Sequence, residues 1–161
     1  MLGVVSNSDG RAEALAAAVD LFSASGVEYV VHCGDVGGRH VLDALGRFPG
    51  GGAFVWGDRD VDRMGLMRYG NGVGVGCFGL LGEFEWEDRK LAVIHGDDRA
   101  VLKKLVDEQQ YDYVLCGHAM EADDRTVGRT RVLNPGPLHG TGAKSVLLLE
   151  PLTGKVRLVP I

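Results

Sequence analysis

Short β-branched runs alternate with stretches of helical periodicity along most of this chain, an order that commits it to an α/β fold with strands and helices in separate layers. Leu2 to Ser6 reads as a buried strand, Asn7-Ser8-Asp9-Gly10 as a turn, and Arg11 to Ser25 as a helix with Ala14, Leu15, Ala18, Val19 and Phe22 on one face. Gly26, just past the last apolar position, supplies the stop. Tyr29 to His32 is a second strand, followed by a loop at Gly34 to Gly38 and a helix from His40 to Phe48 that Pro49 and three glycines end. Ala53 to Trp56 is a third strand. Strand, loop and helix repeated in this way predict a parallel sheet with right-handed crossovers.

Beyond Trp56 the pattern changes. Met64 to Tyr69 reads as part of a short helix, and Gly79 to Trp86 with Arg89 to Ile94 as a hairpin around Glu87-Asp88. Ala100 to Gln109 is a helix with Val101, Leu102, Leu105 and Val106 as its apolar face, and Tyr113 to Cys116 a buried strand. Arg131 to Leu133, Ser145 to Glu150 and Lys155 to Val159 follow as strands, the last two joined at Pro151-Leu152-Thr153-Gly154. Strands that begin parallel and finish antiparallel predict two packed sheets with helices outside. No linker or repeat divides the 161 residues, so residues 1–161 are expected to form a single domain.

Bulk properties remove several functions. Seventeen Lys and Arg against 22 Asp and Glu leave a net charge of −5, with basic residues scattered, so there is no footprint for a nucleic-acid backbone. No apolar run nears the roughly 20 residues that span a bilayer, and the start, Met1-Leu2-Gly3-Val4-Val5-Ser6, does not resemble a signal peptide, so a cytoplasmic location is expected. Cys33, Cys77 and Cys116 are odd in number and widely spaced, which predicts three buried thiols rather than a disulfide framework or a Cys-x-x-Cys site.

Polar residues gather where strands end. The first three strands run into Asn7-Ser8-Asp9, Gly34-Asp35 and Gly57-Asp58-Arg59-Asp60, and two later ones into His95-Gly96-Asp97-Asp98 and Gly117-His118. In open α/β sheets the ligand crevice lies outside the carboxyl ends of the strands. Five such loops would therefore converge on one mouth holding Asp9, Asp35, Asp58, His95 and His118. One Asp at a strand end can merely cap the next helix; carboxylates clustered with imidazoles suit a divalent cation, because carboxylates repel one another unless a cation or a raised pKa intervenes.

The succession of these motifs, with Gly117-His118-Ala119-Met120 and Asn134-Pro135-Gly136 completing it, resembles the calcineurin-like metallophosphoesterase family, in its compact bacterial and archaeal phosphodiesterase branch. The resemblance covers nearly the whole chain. It implies a four-layer α/β/β/α sandwich of two mixed sheets flanked by helices, and two metal ions bridged by Asp35. It also implies hydrolysis of a phosphoester by metal-activated water. Four of the seven positions matching family ligands differ from the family: Asn7 and Asp9 stand for Asp and His, Asp58 for Asn, and Met120 for His. The metal-ligand set carried over is thus Asn7, Asp9, Asp35, Asp58, His95 and His118, with Asp35, Asp58, His95 and His118 at one ion and Asn7, Asp9 and Asp35 at the other. A thioether is a poor ligand for hard ions. The changes raise the carboxylate count, which predicts one or two bound ions and favours Mn²⁺ or Mg²⁺ over Zn²⁺ or Ni²⁺.

Asp35, His118, Arg59 and Asp60 are the expected catalytic residues. Arg59 stands where many family members carry a proton-donating His; its pKa is too high for a general acid, but it can bind a phosphate oxygen. Asp60 is expected to orient a neighbouring side chain, and His32 and His139 to be structural. The partner expected is a small phosphoester, with neither nucleic acid nor membrane, and association into a homo-oligomer stays open. A rival reading is a protein-binding scaffold like the small retromer subunit, for which Met64 to Tyr69 is the candidate apolar patch. Another is dinucleotide binding at Gly74-Val75-Gly76-Cys77-Phe78-Gly79, but a strand-like segment follows that run where the fingerprint needs a helix.

Overall fold

The computed structural model describes residues 1–161. Its first half contains β1 (Leu2–Val5), α1 (Ala12–Ala24), β2 (Tyr29–His32), α2 (Arg39–Gly46), β3 (Gly52–Phe54), α3 (Arg63–Gly72) and β4 (Val75–Cys77). Its second half contains β5 (Leu81–Trp86), β6 (Arg89–Ile94), α4 (Arg99–Asp107), β7 (Tyr113–Leu115), β8 (Asp123–Val127), β9 (Thr130–Asn134), β10 (Ser145–Glu150) and β11 (Lys155–Pro160). Six strands pair in the order β11-β10-β1-β2-β3-β4, five in the order β5-β6-β7-β9-β8. Both sheets are mixed. β1 to β4 run parallel while β10 and β11 join antiparallel; β6, β7 and β9 run parallel while β5 and β8 pair antiparallel at the edges.

Strand alternation sorts the core into three layers, because successive side chains point to opposite faces. Val5 and Val30 face Leu15, Phe22, Leu42 and Leu45 of the first two helices. Their neighbours Val4 and Val31 turn the other way, against Leu91, Val93 and Leu115 of the second sheet. Ala92 and Ile94 then face Leu105 and Val106 of α4. The result is the α/β/β/α sandwich, with a predominantly aliphatic layer between the sheets.

The structure corrects several expectations. β9 pairs parallel with β7 on one side and antiparallel with β8 on the other, so the antiparallel finish holds for β8, β10 and β11 but not for the β7–β9 pair. β4 and β8 were unforeseen. β4 lies in the glycine-rich run, where Gly74 and Gly79 have positive φ and no apolar alternation shows; β8 is a mostly exposed edge strand, Asp-Asp-Arg-Thr-Val, whose charges protect an open edge while erasing the periodic signal. The Gly74 to Gly79 run leads from β4 into another strand, with no helix behind it. Cys33 and Cys116 are buried, but Cys77 is only half-buried on the edge strand β4. The Met64 to Tyr69 segment is no apolar patch: Leu66 packs into the core while Met64 is half exposed.

Candidate metal centre

Register brings the strand ends together. Val5 of β1 stands beside His32 of β2, and His32 beside Phe54 of β3, so the following loops open on one edge. Backbone bonds tie them: Asn7 N–H donates to the Gly34 carbonyl (3.0 Å) and Asp9 N–H to that of Asp35 (2.9 Å). From the second sheet, Gly117 N–H donates to the His95 carbonyl at 2.8 Å. Of the seven non-glycine residues at positive φ, four are Asn7, Asp9, Asp35 and His118. Such conformations are costly and persist where surroundings over-determine them, and here they concentrate where the loops meet. Two glycines allow the close approach: a Cβ on Gly57 would lie 2.1 Å from Asp35 Oδ1, and one on Gly34 2.5 Å from His95 Nδ1.

Asp58, His95 and His118 each offer a ligand atom within 4.8 Å of the others. His95 is buried, and its Nδ1 lies 2.8 Å from the Cys33 carbonyl. A carbonyl only accepts, so Nδ1 carries the proton and Nε2 is the atom presented to the site. That atom is 3.0 Å from Asp58 Oδ1 and 3.3 Å from Asp35 Oδ2. His118 Nδ1 is 3.3 Å from the same Asp58 oxygen. An imidazole lone pair facing two carboxylates needs a positive charge between them, either a proton or a cation. The electrostatics agree. Burial pushes His95 down, but hydrogen bonds to Asp35 and the Cys33 carbonyl and the charges of Asp35 and Asp58 outweigh it and raise its pKa. Burial pushes Asp35 up, but bonds from His95 and the Arg59 N–H, with their charges, leave it below the ordinary carboxylate value. The Asp58, His95 and His118 group fits a divalent cation, and Asp35 Oδ2 lies alongside it, 3.3 Å from His95 Nε2.

The residues expected at the other ion are engaged differently. Asn7 Oδ1 accepts from Ser6 Oγ (2.6 Å) and from His118 N–H (3.1 Å), and Asn7 Nδ2 donates to the His118 carbonyl and to Met120 Sδ, both at 3.3 Å. Asn7 thereby latches the His118 loop onto β1. Asp9 Oδ2 accepts from Arg59 Nη1 at 3.0 Å, with His139 Nδ1 at 3.7 Å. Arg59 reaches Asp35 as well: its N–H donates to Oδ1 at 3.0 Å and its Nε lies 3.9 Å from Oδ2. In this arrangement the donors expected at a second ion are each engaged by groups of the chain itself.

Asp60 holds backbone, not a side chain as expected: it accepts from Val36 (3.2 Å), Gly37 (2.9 Å) and Gly57 (2.8 Å) N–H groups, stapling the β3–α3 loop to the β2–α2 loop. His32 is buried against Ser8 Oγ at 2.8 Å, as a structural residue should be. His139, also expected to be structural, stands beside Asp9; its place three residues beyond Gly136 of a motif loop was the only hint. A groove of about 570 Å³ opens beside His118, lined by Arg99, Leu102, Lys103, Val106 and Arg125 among others.

The model of the calcineurin-like phosphoesterase superfamily domain matches residues 1–153, and the chain belongs to that family. Phosphodiesterase MJ0936 of Methanocaldococcus jannaschii is 25% identical over 154 residues, covering 92% of each chain. Among solved structures, an archaeal phosphodiesterase superposes with a TM-score of 0.93 at 23% identity, covering 99% of both chains. Vps29 of Entamoeba histolytica complexed with Zn²⁺ superposes with a TM-score of 0.66 at 16% identity, covering 99% of this chain and 97% of that one. No helix of the chain is long and apolar enough to cross a membrane.

Proposed function

We propose that this chain is a metal-dependent phosphodiesterase, with Asp35, Asp58, His95 and His118 holding a divalent cation, Mn²⁺ or Mg²⁺ in preference to Zn²⁺ or Ni²⁺. The observation that carries the reading is the buried His95 ring, fixed by the Cys33 carbonyl so that Nε2 meets two carboxylates. Family membership and the M. jannaschii phosphodiesterase support the reaction class.

The residues divide the work. Asp35, Asp58, His95 and His118 would hold the divalent ion, which when bound would supply Lewis acidity to activate water and to offset charge on the phosphoryl oxygens. Asp35 and His95, both buried, hold their ligand atoms without solvent freedom, which is the preorganisation such a site needs. His118 and Asp58, both partly open to solvent, form the rim that the substrate approaches. Arg59 brings a positive charge to that rim and can receive a phosphate oxygen. Asn7 and Asp60 position loops rather than touch the reacting atoms.

An activated aryl phosphodiester assayed with Mn²⁺, Mg²⁺, Ni²⁺ and Zn²⁺ tests the proposal. Asp35→Ala and His118→Ala should each lower kcat/KM at least about a hundredfold, roughly 2.7 kcal/mol of transition-state stabilisation. Activity that survives both substitutions unchanged would overturn the assignment.

A further inference from the structure

The carboxylate cluster at the loop edge already contains one cation that belongs to the chain. Arg59 grips Asp9 through Nη1 at 3.0 Å and Asp35 through its backbone N–H at 3.0 Å, with Nε 3.9 Å from the second Asp35 oxygen. Its guanidinium therefore lies between the two carboxylates that the family resemblance would give to a second metal ion. The other two donors at that position are spent as well, Asn7 on the His118 backbone and Ser6, and Met120 Sδ on the Asn7 amide.

We propose that Arg59 takes the place of one of two metal ions, so that the centre holds a single divalent cation at Asp35, Asp58, His95 and His118 with the arginine as a permanent partner charge. The inference rests on the metal-site reading above and adds the ion count. Charge balance supports it. Asp9, Asp35 and Asp58 bring three negative charges; one guanidinium and one divalent ion cancel them, whereas two ions beside the guanidinium would leave an excess of two positive charges. Asp60 is not counted among the charges that face the ion, because its carboxylate is directed at three backbone N–H groups instead. A guanidinium stays protonated at any working pH and its planar fork suits carboxylate geometry, so this half of the centre cannot be lost to a chelator. Asp9, a departure from the family pattern, then has a role: it is the anchor that holds Arg59 over Asp35.

Metal content decides the matter independently of activity. Metal-stripped protein is titrated with Mn²⁺ by calorimetry, and the loaded protein is examined by electron paramagnetic resonance. Wild type should bind one ion per chain and give the spectrum of isolated Mn²⁺. Arg59→Ala, which frees Asp9 and Asp35, should admit a second, weaker ion and give the exchange-coupled signal of a close pair; Arg59→Lys, which keeps the charge, should stay at one. Asp9→Ala, which removes the anchor of Arg59 without touching the four ligands, should also stay at one ion. Two coupled ions in wild type, a count of one in Arg59→Ala, or a count of two in Arg59→Lys or Asp9→Ala would each overturn the inference while leaving the metal site standing. No binding by wild type or Arg59→Ala would sink the metal-site reading and the ion count together.

Discussion

At the scale of single residues, burial decides which groups respond to pH. His32 is wholly buried, and desolvation first, then the neighbouring His95 charge, pull its pKa down to about 3. The unfolded chain carries a proton on this residue below about 6.5, whereas the folded chain refuses it until near 3. The unfolded state therefore binds more protons throughout that window, and stability falls as pH falls, by up to about 1.4 kcal/mol per unit from this residue. Urea unfolding of metal-stripped protein between pH 7 and 5 should show this slope, and His32→Gln should flatten it relative to wild type; parallel curves for the two proteins would contradict it. Asp35, Asp58, His95 and His118 were legible in the sequence because each follows a strand and sits next to glycine. The grip of Arg59 on Asp9 was not, since the contact joins residues 50 apart in the chain and depends on how two loops lean together. Nor was the diversion of Asn7 to the His118 backbone, a bond across 111 residues.

At the scale of elements, caps and edges separate what local sequence dictates from what it leaves to packing. The α4 helix starts where Asp98 accepts from Ala100 N–H at 3.0 Å and Val101 N–H at 3.1 Å. That pattern is readable from an Asp before an amphipathic run. Asp98→Ala should cost about 1 kcal/mol and lower Tm by roughly 2–4 °C, measured by thermal unfolding, with metal content unchanged because Asp98 lies outside the ligand group. α1, by contrast, has no side-chain cap at Arg11, and its place is set by Leu15, Ala18, Val19 and Phe22 packing on the sheet. The strands that escaped the sequence, β4 and β8, are both edges. An edge strand is paired on one side only, so its residues need not alternate, and glycine or charge suffices there.

On the scale of the whole molecule, the two sheets are joined by an apolar layer and meet, at one edge, in the candidate metal centre. Asp35 and Asp58 come from loops of the first sheet, His95 and His118 from loops of the second. An ion held at about 100 times its dissociation constant should add about 2.7 kcal/mol of stability, which for a chain of this size raises Tm by roughly 5–11 °C. Thermal unfolding with Mn²⁺ and with chelator should show that gap in wild type and not in an Asp58→Ala, His118→Ala double variant; an equal gap in both would place the stabilising ion elsewhere. The bond from the His95 ring to the Cys33 carbonyl crosses the same seam. The donor set is therefore a gauge of how the two sheets sit against each other. A slip of about half an ångström at Val31, Val93 or Leu115, carried through to the loops, would already reach the tolerance within which such ligands must be held. Conservative substitutions deep between the sheets should for that reason be felt first as altered metal selectivity, as a tuning fork betrays a bent tine before it breaks.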